Sequence, residues 1–217
     1  MATHTSKTFP QNIKLYEDRL KYVDLIWCKQ VVYMLKEFCL LGQISVNDIG
    51  CNYGQLYKEI KRRGLEKKID YNGYDIDELF LNMAKKAFPE CASKFVKLDA
   101  ETERLDIRDI TICSATFEHF DNPQNSLKKM LAATSKHIIL RTFVGSESIN
   151  FVQDNKSIVA EPYNINQFNL FELCEIFFEQ GFTFNCLKDE ATESIPKEIT
   201  SGLYRTMYII VGTRISD

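Results

Sequence analysis

Three aspartates stand where a chain of alternating strands and helices would place ligand-binding groups: Asp48, Asp75 and Asp99. The first belongs to the stretch 45–57, SVNDIGCNYGQLY, which reads as a buried strand, a tight turn at Gly50 and Gly54, and the opening of a helix. Glycine lets a backbone pass close to a ligand, and a helix start presents unpaired N–H groups at its positive dipole end. Such a turn suits a nucleoside-bearing cofactor. Asp75 follows Gly54 by about 20 residues, the spacing of a carboxylate that accepts both hydroxyls of a ribose. Its plainer alternative is to cap the next helix. Asp99 ends a further strand and has the chemistry to accept from an adenine amine, or to stand as a solvated loop carboxylate.

The elements that position these residues follow from periodicity. Apolar residues recur at three- and four-residue steps over 13–41, which predicts one long helix or two ending at Gly42. Strands are expected at 44–49, 69–74, 94–98, 109–114, 137–142, 182–187 and 207–213, with helices at 55–63, 78–87, 125–134 and 167–180. This alternation predicts an α/β fold, a parallel sheet covered on both faces. Residues 145–162 and 189–201 are expected as the two longest irregular connections, and residues 1–12 as a polar, mobile start.

Composition narrows the function. The chain has 217 residues, 45% hydrophobic and 26% charged, with a net charge of −3. That fits a single soluble domain and lacks the basic balance of a duplex-binding protein, so no nucleic-acid partner is expected. No apolar run reaches the ~18 residues of a membrane span. The seven cysteines contain no CxxC pair, and with only three histidines no metal site is expected. Free thiols and a polar N-terminus predict a cytoplasmic setting.

Four segments in order, DIGCNYG, GYDID, KLDAE and DITICSATFEHF, resemble motifs I to IV of class I S-adenosylmethionine-dependent methyltransferases. The likeness is greatest to the small-molecule branch of ubiquinone-pathway and sugar methyltransferases, whose late helix NQFNLFELCEIFFEQGF resembles. The resemblance implies a Rossmann-like three-layer sandwich with a seven-stranded, mostly parallel sheet whose last strand is antiparallel. It implies a helical lid over residues 1–42 and a cofactor-binding domain over residues 43–217, one domain overall. It further implies S-adenosyl-L-methionine as cofactor, with Asp48, Gly50, Cys51 and Gly54 around its methionine part. Asp75 would hold the ribose, Asp99 and Ala100 the adenine, and Ser114 and Thr116 would line the pocket near the sulfonium. The family often has glycine where this chain has Asn52, and asparagine tolerates positive φ better than most residues. A nicotinamide fingerprint would read GxGxxG. Here Asp48 would repel a pyrophosphate and suits an ammonium group.

A small-molecule acceptor methylated at oxygen or nitrogen is therefore expected. His119 has the pKa to serve as general base, or it pairs structurally. Arg141 would anchor an acceptor carboxylate or phosphate, or form a salt bridge with a neighbouring acid. Tyr16 and Arg19 on the first helix, and Tyr163 and Asn164 before the late helix, would border the acceptor. Two competing readings remain at this point: a non-catalytic S-adenosylmethionine-binding partner subunit, and a nicotinamide-dependent dehydrogenase. The acceptor's identity and the oligomeric state are not legible.

Overall fold

The computed structural model describes residues 5, 7–200 and 202–215. The expected mobile start, 1–12, lies partly outside the described residues.

The predicted N-terminal helix is two helices, α1 (Ile13–Tyr22) and α2 (Ile26–Phe38). They part at Val23 and Leu25, whose backbones are extended. The carbonyls left over at the end of α1 are held from outside: Lys58 Nζ donates to Val23 O at 2.9 Å and to Arg19 O at 3.3 Å. The two helices then do different work. In α2, Cys28, Val31, Val32 and Leu35 are buried in the main core, so α2 is a layer of the fold. In α1 the buried residue is Tyr16, which stacks on Tyr53 and meets Phe80 edge-on.

Strands β1 (Ile44–Ile49), β2 (Ile69–Asp75), β3 (Phe95–Lys97), β4 (Arg108–Ser114), β5 (Thr134–Gly145), β6 (Asn185–Lys188) and β7 (Met207–Thr213) form one sheet. Its order is β3-β2-β1-β4-β5-β7-β6. The pairings β1–β2, β2–β3, β1–β4 and β4–β5 are parallel, whereas β7 runs antiparallel to both β5 and β6. Phe168–Asn169 adds a short eighth strand beside the end of β5. The expected sheet is thus present, with this addition. Helices α3 (Gln55–Arg62) and α4 (Glu78–Ala87) join α2 on one face, and α5 (Pro123–Ala132) and α6 (Leu170–Glu179) cover the other. Two buried clusters, one on each face, make the three layers.

Local chemistry sets several boundaries that periodicity placed elsewhere. The late helix begins at Leu170 rather than 167 because Asn169 caps it, its Oδ1 accepting from Phe171 N at 2.8 Å and Glu172 N at 3.2 Å. The two stretches expected to be irregular contain hairpins. Val152–Gln153 pairs with Tyr163–Asn164, and Lys197–Thr200 pairs with Leu203–Arg205. Among the described residues no helix is long and apolar enough to cross a membrane.

Strand order reverses between β1 and β4, so the loops leaving them diverge and open a crevice at the carboxyl edge of the sheet. The β1 loop is fixed there by β2. Gly50 N and Cys51 N both donate to Tyr74 O, at 2.8 and 2.9 Å. Beneath it lies Gly73, where an added Cβ would sit 2.8 Å from the Tyr71 hydroxyl and 2.9 Å from Cys51 Sγ. Gly73→Ala is expected to lift this loop and destabilise the fold by about 1–3 kcal/mol, the usual range for overpacking. Urea denaturation measures it, and an unchanged midpoint would contradict the packing described.

Candidate active site

Between the ends of β1, β2 and β4 lies a cavity of about 510 Å³. Its wall is the β1 loop. Asn52 adopts the left-handed conformation (φ 53°), as its residue type permits, and its Oδ1 accepts from Tyr53 N at 2.8 Å. Gly54 (φ 79°) then starts α3. The glycine at position 50 answers to a neighbour across the crevice: a Cβ there would fall 2.1 Å from Thr116 Oγ1. The loops after β1 and β4 therefore close on each other only because residue 50 has no side chain. Ala115, on the far lip, also has positive φ (51°), a strained conformation for alanine.

The lining is acidic. Asp75, Asp99 and Glu101 face the cavity, against one cation, Arg19. Asp75 accepts from Asn52 N at 2.8 Å and Asp77 N at 2.9 Å. A carboxylate has about four acceptor sites, so these bonds orient it and leave capacity for a ligand diol. Burial raises its pKa to about 6, against the lowering effect of those backbone bonds. Asp99 accepts from Glu101 N and Thr102 Oγ1, both at 2.9 Å, which folds the loop beside Ala100. At the floor, Ser114 is 7% exposed and its Oγ has no hydrogen-bond partner among the described residues. A buried hydroxyl without a partner is costly. Aromatic residues Tyr16, Tyr53 and Phe80 close the cavity from the side of α1.

Some expected residues lie elsewhere. Asp48, Cys51 and Gly54 are behind the loop and do not line the cavity. The alternation of β1 turns Asp48 into the α2–α3 layer, where it accepts from the Tyr71 hydroxyl at 2.6 Å. Arg141 does not reach the cavity. Its guanidinium forms a buried bidentate pair with Asp189, at 2.9 and 3.0 Å, with Trp27 over it at 5.8 Å. The expected acceptor anchor is thus spent on an internal partner, the salt-bridge alternative. His119 does line the cavity. Its Nδ1 lies 2.5 Å from Asn164 O, and burial lowers its pKa to about 4. The ring is therefore neutral at physiological pH, and donation from Nδ1 to that carbonyl puts the acceptor lone pair on Nε2. Tyr163 meets the His119 ring edge-on at 5.4 Å, and Asn164 lines an adjoining cavity of about 430 Å³. Both support His119 instead of bordering the main cavity.

Sequence reading missed Glu101, Tyr53, Phe80 and Phe120 as lining and Asp189 as the partner of Arg141. Glu101, Tyr53 and Phe120 lie inside recognised motifs and were within reach. The Arg141–Asp189 pairing spans 48 positions, so no local pattern could expose it.

Asp48 makes this electrostatic account testable. Burial raises its pKa to about 7, opposed by the Tyr71 bond and reinforced by the charge of Asp75. The folded chain therefore holds a proton that the unfolded chain releases at ordinary carboxylate pH. The stability contributed is full below about pH 4 and is lost as pH rises through about 7. Asp48→Asn removes this dependence while its amide oxygen still accepts from Tyr71. The melting-temperature difference, variant minus wild type, is expected to be larger near pH 8 than near pH 5. Scanning calorimetry at both values checks it, and an equal difference would contradict a buried acid at this position.

A family model for a methyltransferase domain matches residues 47–137, from β1 through the start of β5. No curated relative matches. Among solved structures, an S-adenosylmethionine-dependent methyltransferase from Clostridium acetobutylicum is similar with a TM-score of 0.64 and 10% identity, over 95% of this chain and 99% of that one. The amino pentose methyltransferase CalS10 from Micromonospora echinaspora, solved with S-adenosylmethionine, gives 0.61 and 12% over 93% and 95%. Magnesium protoporphyrin IX methyltransferase from Synechocystis, with S-adenosylhomocysteine bound, gives 0.57 and 17% over 86% and 81%. At these identities the structures establish likeness of fold. Residues 47–137 thus match a methyltransferase domain, within a fold that the chain shares with S-adenosylmethionine-dependent methyltransferases.

Proposed function

We propose that the chain moves a methyl group from S-adenosylmethionine to an oxygen or nitrogen of a small molecule. The observation that carries this reading is the unpartnered Ser114 hydroxyl on the floor of an acidic cavity at the β1/β4 reversal. An acidic lining repels a pyrophosphate and suits a nucleoside bearing ammonium and sulfonium charges, which argues against the nicotinamide alternative. The neighbours include enzymes named for a sugar and a tetrapyrrole substrate, which supports a small-molecule acceptor.

In this reading Asp75 accepts the ribose hydroxyls, while Asp99 and the backbone at Ala100 meet the adenine. The loop Gly50–Cys51–Gly54 surrounds the methionine part, with Asp48 packed behind it against the Tyr71 hydroxyl. Ser114 and Thr116 lie near the reacting sulfur. The bound cofactor supplies an electrophilic methyl group. The chain then has to orient the acceptor, exclude water and receive a proton. Tyr16 and Arg19 bound the space from α1, and Trp27 bounds it from the start of α2. His119 presents a neutral imidazole whose Nε2 accepts the proton of the acceptor group, its ring held by Asn164 and Tyr163. The free thiols of all seven cysteines fit a reducing, cytoplasmic setting.

Isothermal titration with S-adenosylhomocysteine and with NADH tests the cofactor assignment: the first is expected to bind and the second not, and the reverse would sink the reading. Ser114→Ala is expected to leave the free protein as stable as before, because it removes an unsatisfied group. The same change is expected to weaken cofactor binding about fivefold, the worth of ~1 kcal/mol. Asp75→Ala is expected to weaken it by tenfold or more, at about 1.5–3 kcal/mol per charge-assisted bond. Unchanged affinity in both variants would remove the site from this cavity. His119→Ala is expected to slow methyl transfer to a cell-extract acceptor, with cofactor affinity retained. Full turnover would reject the base role, and no turnover by the wild-type chain would favour a cofactor-binding partner subunit.

A further inference from the structure

Arg205 closes the hairpin Lys197–Thr200/Leu203–Arg205 and is 1% exposed. Its Nη1 donates to Tyr204 O at 3.0 Å. Its Nε and Nη2 are buried with no acceptor among the described residues. Two other arginines that leave the surface are paired: Arg108 with Asp70, and Arg141 with Asp189. The contrast with Arg141 is chemical as well as numerical. Arg141 binds a carboxylate side-on through Nε and Nη2, and the same edge of Arg205 is vacant. Burial lowers its pKa. A buried cation with two unmet donors is among the costliest arrangements in a fold, and guanidinium is the group best shaped to receive a planar or tetrahedral oxyanion.

Its place in the fold points to where the anion comes from. Val144 N, at the carboxyl end of β5, donates to Thr206 O at 3.0 Å. This fastens the end of the hairpin to the carboxyl edge of the sheet, outside which ligands of open α/β sheets lie; Arg205 is beyond the lining of the main cavity. The hairpin itself is a two-stranded sheet outside the main ladder.

We propose that Arg205 is an anion-recognition residue of the acceptor site, holding a carboxylate or phosphate of the methyl acceptor through its free Nε–Nη2 edge. The acceptor assignment rests on the methyl-transfer reading; the anion site does not. The role that sequence assigned to Arg141 thus passes to an arginine whose binding edge is not already filled.

The test is thermal unfolding of the full chain with inorganic phosphate titrated against chloride at matched ionic strength, and separately with acetate. Wild-type protein is expected to show a saturable rise of roughly 3 °C in phosphate or in acetate. The arm that gives the rise identifies the oxyanion. Arg205→Met is expected to lose that rise and, in chloride, to melt no lower than wild type, because a buried unpaired charge has been replaced by an apolar chain. Arg205→Gln, which keeps length and polarity, is the second variant should the first not fold, and it is expected to lose the rise as well. No saturable rise in wild type, or an equal rise in the variants, overturns the proposal. S-adenosylhomocysteine is added in a parallel arm. A normal cofactor shift beside a missing anion shift defeats Arg205 alone, whereas a missing cofactor shift defeats the methyltransferase site.

Discussion

The close approach of two loops is the constraint on which the site depends. The backbone at Gly50 passes so near Thr116 that a single methyl group would collide with it. The loop is held there by two amide donors on one carbonyl, Tyr74 O, and by Asn52 N on Asp75. These bonds tie the ends of β1 and β2 together, and the Gly50–Thr116 approach brings in the end of β4. The order β2-β1-β4 makes this possible, because β1 lies between the two strands whose ends it must touch. Asp75 is thus both part of the fold and a wall of the cavity, and its two backbone bonds pre-orient the carboxylate that a ligand meets.

Around this centre, burial and charge are divided unevenly. The acids Asp48, Asp75 and Glu118 are all raised toward neutrality by burial, to about 7, 6 and 7. Asp48 and Glu118 are each steadied by a hydroxyl, Tyr71 at 2.6 Å and Thr142 at 3.1 Å. His119 is pushed the other way and stays neutral. The imidazole at the cavity wall is held in one tautomer by Asn164 O. Stability is given up at Ser114 and Ala115, where an unpaired hydroxyl and a strained backbone sit on the cavity's floor and lip.

Much of this was legible in the sequence because it is written locally. Period-2 and period-3.6 patterns located the parallel strands and the helices between them. The glycine turn and the acidic strand ends located Asp75, Asp99 and Ser114, all of which line the cavity. What escaped depends on distance along the chain or on orientation. Asp48 sits in the recognised motif, yet strand alternation points it away from the cavity. Arg141 stands at the correct strand end, yet Asp189, 48 residues later, takes its guanidinium. The lid was placed on all of residues 1–42; the apolar face of α2 is buried in the core, while Trp27 at its start lines the cavity together with Tyr16 and Arg19 of α1. The hairpins in both long connections were invisible because their strands are two to four residues long, too short for periodicity to register.

The central claim is that the crevice between the ends of β1 and β4 holds the cofactor. A crystal structure of the chain grown with S-adenosylhomocysteine tests it most directly. The account predicts the nucleoside in this cavity, with its ribose hydroxyls on Asp75, its adenine between Asp99 and Ala100, and a polar atom within hydrogen-bond distance of Ser114 Oγ. Density for the nucleoside at any other place on the molecule, or in the cavity with Asp75 and Ser114 untouched, would contradict it.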